Sequence, residues 1–402
     1  MDFSSASENI KITSDTAKDF DSVIKNADLQ KIYSERRKKV CKILQEKNLG
    51  AVIFEDDEDR RNPCVRYLTG HPSDAMLIIT CDGFSTLVPW DENLAKEKAH
   101  ADKIIASTKF NRNTINAAKE ILSSFQTDNR IAALSPKTAF SRYDRFTKDL
   151  SDINWTVECK EDSVHSAAED LRAVKDEYEI ACTRKACFIT SQMTDEIISL
   201  LYSGKIERET DAALFIERRL REMNCERTSF DTLAAGPERS FAIHAFPGYT
   251  GGKWGCEGLS LLDYGVCFDG YASDCTITVA RGKLSCEQKL ILDLVQKAAD
   301  ECLPLYKQGL PIRNAVKKAD EIFASKGYSM PHGLGHGTGL EIHESPFVSS
   351  KSPETKTFKA GNIVTLEPGL YDPKLGGCRL ENDVLITDEG NCVLTNSKIF
   401  RD

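Results

Sequence analysis

Long apolar runs and blocks of basic residues are both missing from this sequence. No stretch of about eighteen apolar residues occurs, and no basic segment followed by an apolar one opens the chain, so we expect neither a membrane span nor a leader. The net charge is -9, which argues against a general nucleic-acid binder. The one basic run, Arg36, Arg37, Lys38 and Lys39, is interpreted as the solvated face of a helix.

Cys-x-x-Cys pairs are absent as well, although the chain contains 14 cysteines. These cysteines are scattered through a long chain and do not have the spacing of a small disulfide framework. We therefore expect reduced thiols, mostly buried, in a cytoplasmic protein.

The chain length favours two domains, because 402 residues exceed the usual size of one hydrophobic core. With 41% hydrophobic and 29% charged residues, the composition is that of an ordinary globular protein. We place the boundary near residue 165, between an α/β domain over 1–165 and an α+β domain over 166–402. Residues 1–27 are polar and aperiodic and are expected to form a loosely held extension.

Hydrophobic periodicity predicts the main elements. In the first half we expect a helix over Leu29–Lys47 and strands over Ala51–Phe54, Ala75–Thr80 and Ser85–Pro89. In the second half we expect helices over Leu171–Leu201, Glu209–Met223, Cys286–Tyr306 and Ile312–Lys326, and strands over Phe230–Ala234, Leu259–Tyr264 and Ala272–Val279.

Two acidic residues lie on apolar strand segments that a turn separates. Asp263 follows Leu261-Leu262, and Asp274 follows the turn at Phe268-Asp269-Gly270. A hairpin of this length allows both carboxylates to project from adjacent strands onto one face. Taken alone, the two acids would be interpreted as turn caps or as partners of Arg281.

Histidines cluster in a glycine-rich segment further along the chain. His332, His336 and His343 lie within twelve positions, with His244 upstream, and glycines recur at every second position around His336. Glycine lets a backbone pass close to a bound ion or substrate and suits a packed strand poorly. This density of histidines favours a functional site over satisfied core histidines.

Two further acids, Glu367 and Glu381, each stand on an otherwise apolar strand segment. Either alone would be unremarkable as a solvated edge residue. Together with Asp263 and Asp274 they make four carboxylates, whose combined charge two divalent cations would neutralise. Without metal, four such groups crowded together would repel and take up protons. The five residues therefore predict a two-metal site: Asp263, Asp274, His336, Glu367 and Glu381.

The order Asp, Asp, His, Glu, Glu, with its surrounding motifs, resembles the pita-bread metallopeptidases over about residues 170–400. That family includes Xaa-Pro aminopeptidases, prolidases, methionine aminopeptidases and the metal-free creatinases. Val65-Arg66-Tyr67-Leu68-Thr69-Gly70 resembles the creatinase-type N-terminal domain of the proline-directed members. The resemblance implies a creatinase-like α/β domain followed by an α+β pita-bread catalytic domain, and a homodimer.

The same resemblance implies roles for the metal ligands. Asp274 and Glu381 would bridge two metals, Asp263 would chelate one, and His336 and Glu367 would complete the other. Oxygen ligands with one imidazole suit manganese, cobalt, zinc or iron, and we favour manganese on family grounds. A hydroxide bridging the metals would attack the scissile carbonyl.

It also implies roles for the residues around the metals. His343 would donate to the carbonyl or tetrahedral oxygen, His244 would face the substrate, and His332 would line the pocket. Glu367 would carry a proton to the leaving nitrogen. Arg379 would pair with a metal-bound carboxylate and lie against the substrate site.

Two positions depart from the family pattern. Thr276-Ile277-Thr278 replaces the common Thr-Arg-Thr, and Asn382 stands where a second acid is common. Our leading hypothesis is hydrolysis of Xaa-Pro bonds in short peptides, by an aminopeptidase or a dipeptidase. The alternatives are a pita-bread hydrolase or lyase acting on a non-peptide molecule, and a binding module without catalysis.

Overall fold

The computed structural model describes residues 14–402, which divide into two compact units. One unit comprises Ala27–Arg172, and the other comprises Ala173–Asp402 together with helix α1 (Ser14–Asn26). The boundary that we placed near residue 165 falls inside a helix of the first unit. Within the stretch expected to be loosely held, α1 packs on the helix Glu177–Tyr202, where Phe20 and Phe188 lie 5.8 Å apart between ring centroids. Residues 1–13 lie outside the described part.

The first unit is a six-stranded mixed sheet flanked by helices, in the strand order β4-β3-β2-β1-β5-β6. Its strands are β1 Ala51–Asp56, β2 Ala75–Thr80, β3 Ser85–Pro89, β4 Lys103–Ile104, β5 Ile131–Leu134 and β6 Thr156–Cys159. Its helices are α2 Leu29–Glu46, α3 Pro63–Thr69, α4 Glu92–Lys98, α5 Thr114–Ser123, α6 Phe140–Ser151 and α7 Val164–Arg172. The α/β class predicted for this half is confirmed.

The interpretation of the basic run as a solvated face is wrong for two of its four residues. Arg36 and Arg37 are buried, while Lys38 and Lys39 are exposed. The Arg36 guanidinium donates to the Tyr67 carbonyl at 2.9 Å, and that of Arg37 donates to the Leu68 carbonyl at 2.8 Å. Both arginines therefore satisfy the last carbonyls of α3, which no helical N–H can reach.

The second unit is built on a nine-stranded sheet. Its helices are α8 Glu177–Tyr202, α9 Glu209–Glu222, α10 Cys286–Cys302 and α11 Ile312–Ala324. Its strands in the first part are β7 Arg227–Thr228, β8 Leu233–Ala235, β9 Gly258–Tyr264, β10 Val266–Phe268, β11 Tyr271–Ala272 and β12 Cys275–Arg281. The remaining strands are β13 Gly335–Gly337, β14 Glu344–Val348, β15 Ile363–Leu366, β16 Gly369–Asp372, β17 Gly376–Arg379, β18 Glu381–Ile386, β19 Asn391–Val393 and β20 Ile399–Arg401.

The main path of this sheet runs β14-β13-β15-β18-β12-β9-β8, with β19 on β18 and β20 on β12. Helices α8 and α9 pack on one apolar set, which includes Leu262, Ile277 and Val279. Helices α10 and α11 pack on another, which includes Ala280 and Val384. None of the helices described over residues 14–402 combines the length and apolar character required to cross a bilayer.

Some element bounds differ from the sequence expectation for local reasons. The helix expected over Leu171–Leu201 is interrupted, because Asp176 caps α8 by accepting from the Glu179 N–H at 3.0 Å. The helix expected to reach Tyr306 ends at Cys302 and continues as a short 3₁₀ turn containing Pro304.

Candidate active site

Strand register places three polar side chains in a row on one face of the nine-stranded sheet. Thr276 of β12 is paired with Asp263 of β9 on one side and with Glu381 of β18 on the other. Paired residues in a sheet point to the same face. The Thr276 hydroxyl donates to Glu381 Oε2 at 2.6 Å. Asp274 precedes β12 by one residue and joins the same face by alternation.

His336 of β13 and Glu367, which follows β15 by one residue, approach this row. His336 Nε2 lies 3.5 Å from Asp274 Oδ2 and 3.5 Å from Glu367 Oε1. A Cβ added at Gly335 would collide with the Thr365 carbonyl oxygen, and one at Gly337 with the Ser345 carbonyl oxygen. The glycines on either side of His336 therefore let three backbone segments approach closely.

The five side chains selected from the sequence thus converge on one site, and this donor set fits divalent cations. One ligand atom from each of Asp274, His336 and Glu381 lies within 4.8 Å of the others. Oδ1 of Asp263 and Oδ1 of Asp274 are buried and have no hydrogen-bond partner in the described chain. Such orphaned oxygens are costly unless a cation or a donor compensates them.

The crowding of the buried carboxyl groups also indicates a cation site. Burial, reinforced by the neighbouring carboxylates, raises the pKa of Asp274 and that of Glu381 well above the ordinary carboxyl range. Burial raises the pKa of Glu367 to about 7. Burial and the neighbouring His343 lower the pKa of His336 to about 3, so its imidazole is neutral and offers a lone pair. The acids would hold protons here unless cations replaced them.

Arg379 is hydrogen-bonded to residues of the site. Its guanidinium donates to Asp263 Oδ2 at 2.5 Å, to Thr276 Oγ1 at 3.0 Å and to the Tyr371 hydroxyl at 2.7 Å. A further bond reaches the Ile243 carbonyl at 3.1 Å. Arg379 is buried, so these bonds fix the orientation of Asp263.

Sequence reasoning missed Asp383, a buried acid that holds Asp274 from the other side. Asp383 Oδ2 accepts from the Asp274 N–H at 2.7 Å and from Cys187 Sγ at 3.3 Å, and Oδ1 accepts from the Thr338 hydroxyl at 3.1 Å. The available signal was its spacing of two from Glu381, which places both acids on one face of β18.

The three other histidines also line the site cavity. The His343 ring lies 4.3 Å from that of His336 between centroids, at an angle of 70°. His332 Nε2 lies 3.0 Å from the Tyr371 hydroxyl, and its Nδ1 lies 3.8 Å from Glu367 Oε2. His244 is exposed and stands in the loop that follows β8.

A sequence model of metallopeptidase family M24 matches residues 181–388, and a model of the Creatinase/Prolidase N-terminal domain matches residues 36–174. The chain belongs to metallopeptidase family M24. The predicted family and two-domain architecture are confirmed.

Relatives of this M24 metallopeptidase include Xaa-Pro dipeptidases and uncharacterised peptidases. A Pyrococcus horikoshii Xaa-Pro dipeptidase is 30% identical over 91% of this chain and 98% of its own length. An uncharacterised Staphylococcus saprophyticus peptidase is 35% identical, over 58% of this chain and only 65% of its own length. Among solved structures, the prolidase from Pyrococcus horikoshii superposes with a TM-score of 0.77 at 27% identity, covering 91% of this chain and 99% of that one.

The two departures from the family pattern lie away from the ligand face of this M24 site. Ile277 is buried in the apolar set under α8 and α9, on the opposite face of β12 from Thr276. Asn382 Oδ1 accepts from the Thr395 hydroxyl at 3.0 Å and from the Ser397 N–H at 2.9 Å. Both residues therefore contribute to packing behind the site, and neither faces the five predicted ligands.

Proposed function

We propose that this metallopeptidase is an exopeptidase that holds two divalent cations and hydrolyses the bond before proline in short peptides with proline second. The single observation that carries the proposal is the convergence of the five predicted ligands in a chain whose full-length relative is a Xaa-Pro dipeptidase. Asp263, Asp274, His336, Glu367 and Glu381 would hold the cations. We favour manganese over cobalt, zinc or iron on family grounds.

Divalent cations bound here would activate water for attack and polarise the scissile carbonyl. The chain's own residues would transfer the proton and contact the substrate. Glu367 would carry a proton from the attacking water to the leaving nitrogen. His343 and His244 are exposed at the cavity and would donate to the carbonyl oxygen and face the substrate, respectively.

His332 and Arg379 would hold the substrate side of the pocket in place. Burial lowers the pKa of His332 to about 4, so the ring is neutral near pH 7 and bonds to Tyr371 without carrying charge. Arg379 donates to the same hydroxyl. Tyr371 thus joins His332 to Arg379 and to the Asp263 carboxylate.

A peptidase assay tests this function. We expect the manganese-loaded protein to hydrolyse Ala-Pro at least about a hundredfold faster than Ala-Ala, and chelation to abolish hydrolysis. The His336→Ala variant should lose hydrolysis together with manganese binding, while Lys38→Ala, at an exposed position in the first unit, should retain both. Hydrolysis that survives both chelation and His336→Ala would exclude the proposal. Turnover of a non-peptide substrate alone would favour the alternative hydrolase or lyase.

We further propose a cytoplasmic homodimer. All 14 cysteines are free thiols, which suits a reducing compartment. The dimer is proposed from family resemblance alone. Sedimentation of the purified protein tests it, and a mass of 44.8 kDa at micromolar concentration would contradict it.

A further inference from the structure

We propose that Phe246 and Phe347 form an apolar subsite that binds a side chain of a peptide substrate beyond its second residue. This inference rests on the proposed exopeptidase function and specifies its substrate class as oligopeptides with an apolar residue after the proline. An exopeptidase that removes the first residue has only that residue on one side of the scissile bond. A longer substrate therefore extends past the proline.

Both phenylalanines line the cavity that contains the metal ligands, and both are exposed. The side chain of Phe246 is 95% exposed and that of Phe347 is 51% exposed. Each ring adds apolar surface to the wall of this cavity, and such surface favours an apolar ligand. The cavity is continuous with the five ligands, so the occupant of this surface is the substrate.

Strand geometry explains why Phe347 faces the cavity. Along β14, Glu344 and Val348 are buried, and Val348 packs in the core under α10 and α11. Because side chains alternate in a strand, Ser345 and Phe347 project to the side opposite Glu344 and Val348, and both line the cavity, as does the buried Pro346 between them. Phe347 is thus excluded from the core by its position in the strand.

The loop that carries Phe246 is fixed at both ends by one buried carboxylate. Glu209, at the start of α9, accepts from the Gly236 N–H at 2.8 Å and from the Thr250 N–H at 2.7 Å. Glu209 also pairs with Arg239, whose guanidinium donates to the Pro247 carbonyl next to Phe246. The exposed ring is therefore held on an anchored backbone, which limits the ordering cost when a ligand binds.

The cavity has room for more than a dipeptide. Its volume is about 1290 Å³, above the range of roughly 300–1000 Å³ that small-molecule sites occupy. It extends from the ligands to Lys351 and Lys356. Neither lysine has an acidic partner within ion-pair distance in the part of the chain that the structure describes, so both are available to a distant C-terminal carboxylate.

Matched peptides and variants test the subsite. The full-length, manganese-loaded protein and its Phe246→Ser and Phe347→Ser variants would be assayed on Ala-Pro-Leu, Ala-Pro-Ser, Leu-Pro and Ser-Pro. The control is Phe140→Ser, which removes an 81% exposed phenylalanine from the first unit. We expect the wild type to prefer Ala-Pro-Leu over Ala-Pro-Ser by about tenfold in kcat/KM. Each cavity variant should reduce that ratio to about threefold or less, and Phe140→Ser should leave it unchanged.

Three results would overturn the subsite. The first is equal rates on the two tripeptides. The second is a preference for Leu-Pro over Ser-Pro that the cavity variants remove while the tripeptide ratio persists. The third is a lower molecular mass in solution for Phe246→Ser than for the wild type. The last would show that a second copy of the chain covers this ring.

Calorimetric binding of Ala-Pro-Leu and Ala-Pro-Ser to the His336→Ala variant separates the subsite from the chemistry. If the wild type cleaves no peptide with proline second, the proposed function fails. A binding preference for the leucine peptide would then still support the apolar subsite, and equal binding would overturn it as well.

Discussion

At the scale of single residues, Arg379 is the cation that pairs with Asp263, one of the five predicted metal ligands. The buried guanidinium contacts Asp263, Thr276 and Tyr371, and its removal would leave Asp263 as an uncompensated buried acid. Breaking a buried ion pair from one side costs about 3–5 kcal/mol. Losing a group that orients a metal ligand weakens metal affinity about 10–100-fold.

We therefore expect Arg379→Met to lower both manganese affinity and the free energy of unfolding by these amounts. Metal titration and urea unfolding measure the two effects. The control is Arg281→Met, because Arg281 pairs with Asp402 at a site where both side chains are about one-third exposed. Unchanged manganese affinity in Arg379→Met would show that Asp263 is oriented without the arginine.

The residues that meet in the candidate site could be selected from sequence because each lies in a short local pattern. Acids on apolar strands are costly, and glycines around a histidine are unusual, so both features stand out without a structure. Arg36 and Arg37 could not be placed in the same way. Their burial depends on the carbonyls at the end of α3, which lies 31 residues away along the chain.

At the scale of elements, the loop between β8 and β9 depends on Glu209. This carboxylate accepts from Gly236, from Thr250 twice, and from Arg239, so it holds the segment that carries His244. A glutamine at position 209 would turn N–H groups toward partners that can only donate hydrogen bonds to it. Sequence reasoning missed this residue because an acid in the first turn of a helix already has an ordinary role there.

We expect Glu209→Gln to raise KM for a tripeptide by about tenfold while manganese affinity changes little, because the loop faces substrate and carries none of the five ligands. Steady-state kinetics and metal titration provide the two readouts. Glu207→Gln, two residues earlier and exposed, is the matched control. A parallel loss of manganese affinity would place the effect in the ligand set and contradict a role confined to the loop.

A second link between elements is the ion pair of Lys175 and Glu344. The two atoms lie 2.6 Å apart, and the side chains are 0% and 5% exposed. Glu344 begins β14 and is paired with Gly337, next to the predicted ligand His336. Lys175 also donates its N–H to the Gly361 carbonyl, just before β15.

We expect Lys175→Met to destabilise the protein by about 3–5 kcal/mol, since Glu344 would remain buried without its cation. Adding Glu344→Gln should recover part of that loss, because the uncompensated charge is removed. Urea unfolding of the single and double variants measures the coupling. Lys185→Met, which breaks a pair with the 54% exposed Asp21, should cost about 1 kcal/mol or less. A double variant less stable than Lys175→Met would refute the explanation.

At the scale of the whole molecule, the sequence predicted the class of each half, but not the connections behind the site. Periodicity and glycine spacing report on one element at a time. The contacts of Asp383 with Asp274, and of Lys175 with Glu344, join residues more than 100 positions apart. Such contacts depend on strand order in the sheet, which no local pattern in this chain specifies.

The same sheet should couple metal binding to stability in a pH-dependent way. The pKa of Glu367 is about 7 in the folded metal-free protein, against 4.5 for an ordinary glutamate. Between these values the folded state binds more protons than the unfolded state, so metal-free stability falls as pH rises through this window. Cations replace those protons, and they bind more tightly as the protons leave. His336, with a pKa of about 3, is already neutral and adds nothing to this window.

The stabilisation by manganese should therefore grow from pH 5 to pH 8 and approach about 2.7 kcal/mol at a hundredfold excess over Kd. Thermal unfolding with and without manganese at several pH values measures the gain. Hydrogen exchange should locate the added protection in β9, β12, β15 and β18, the strands that carry or adjoin the carboxylate ligands. His336→Ala should lose most of the gain, because it lacks the one imidazole ligand. A gain in stability that is largest at pH 5 would mean that protons on these carboxyls do not compete with the metal. It would contradict the predicted pH-dependent coupling of metal binding to stability.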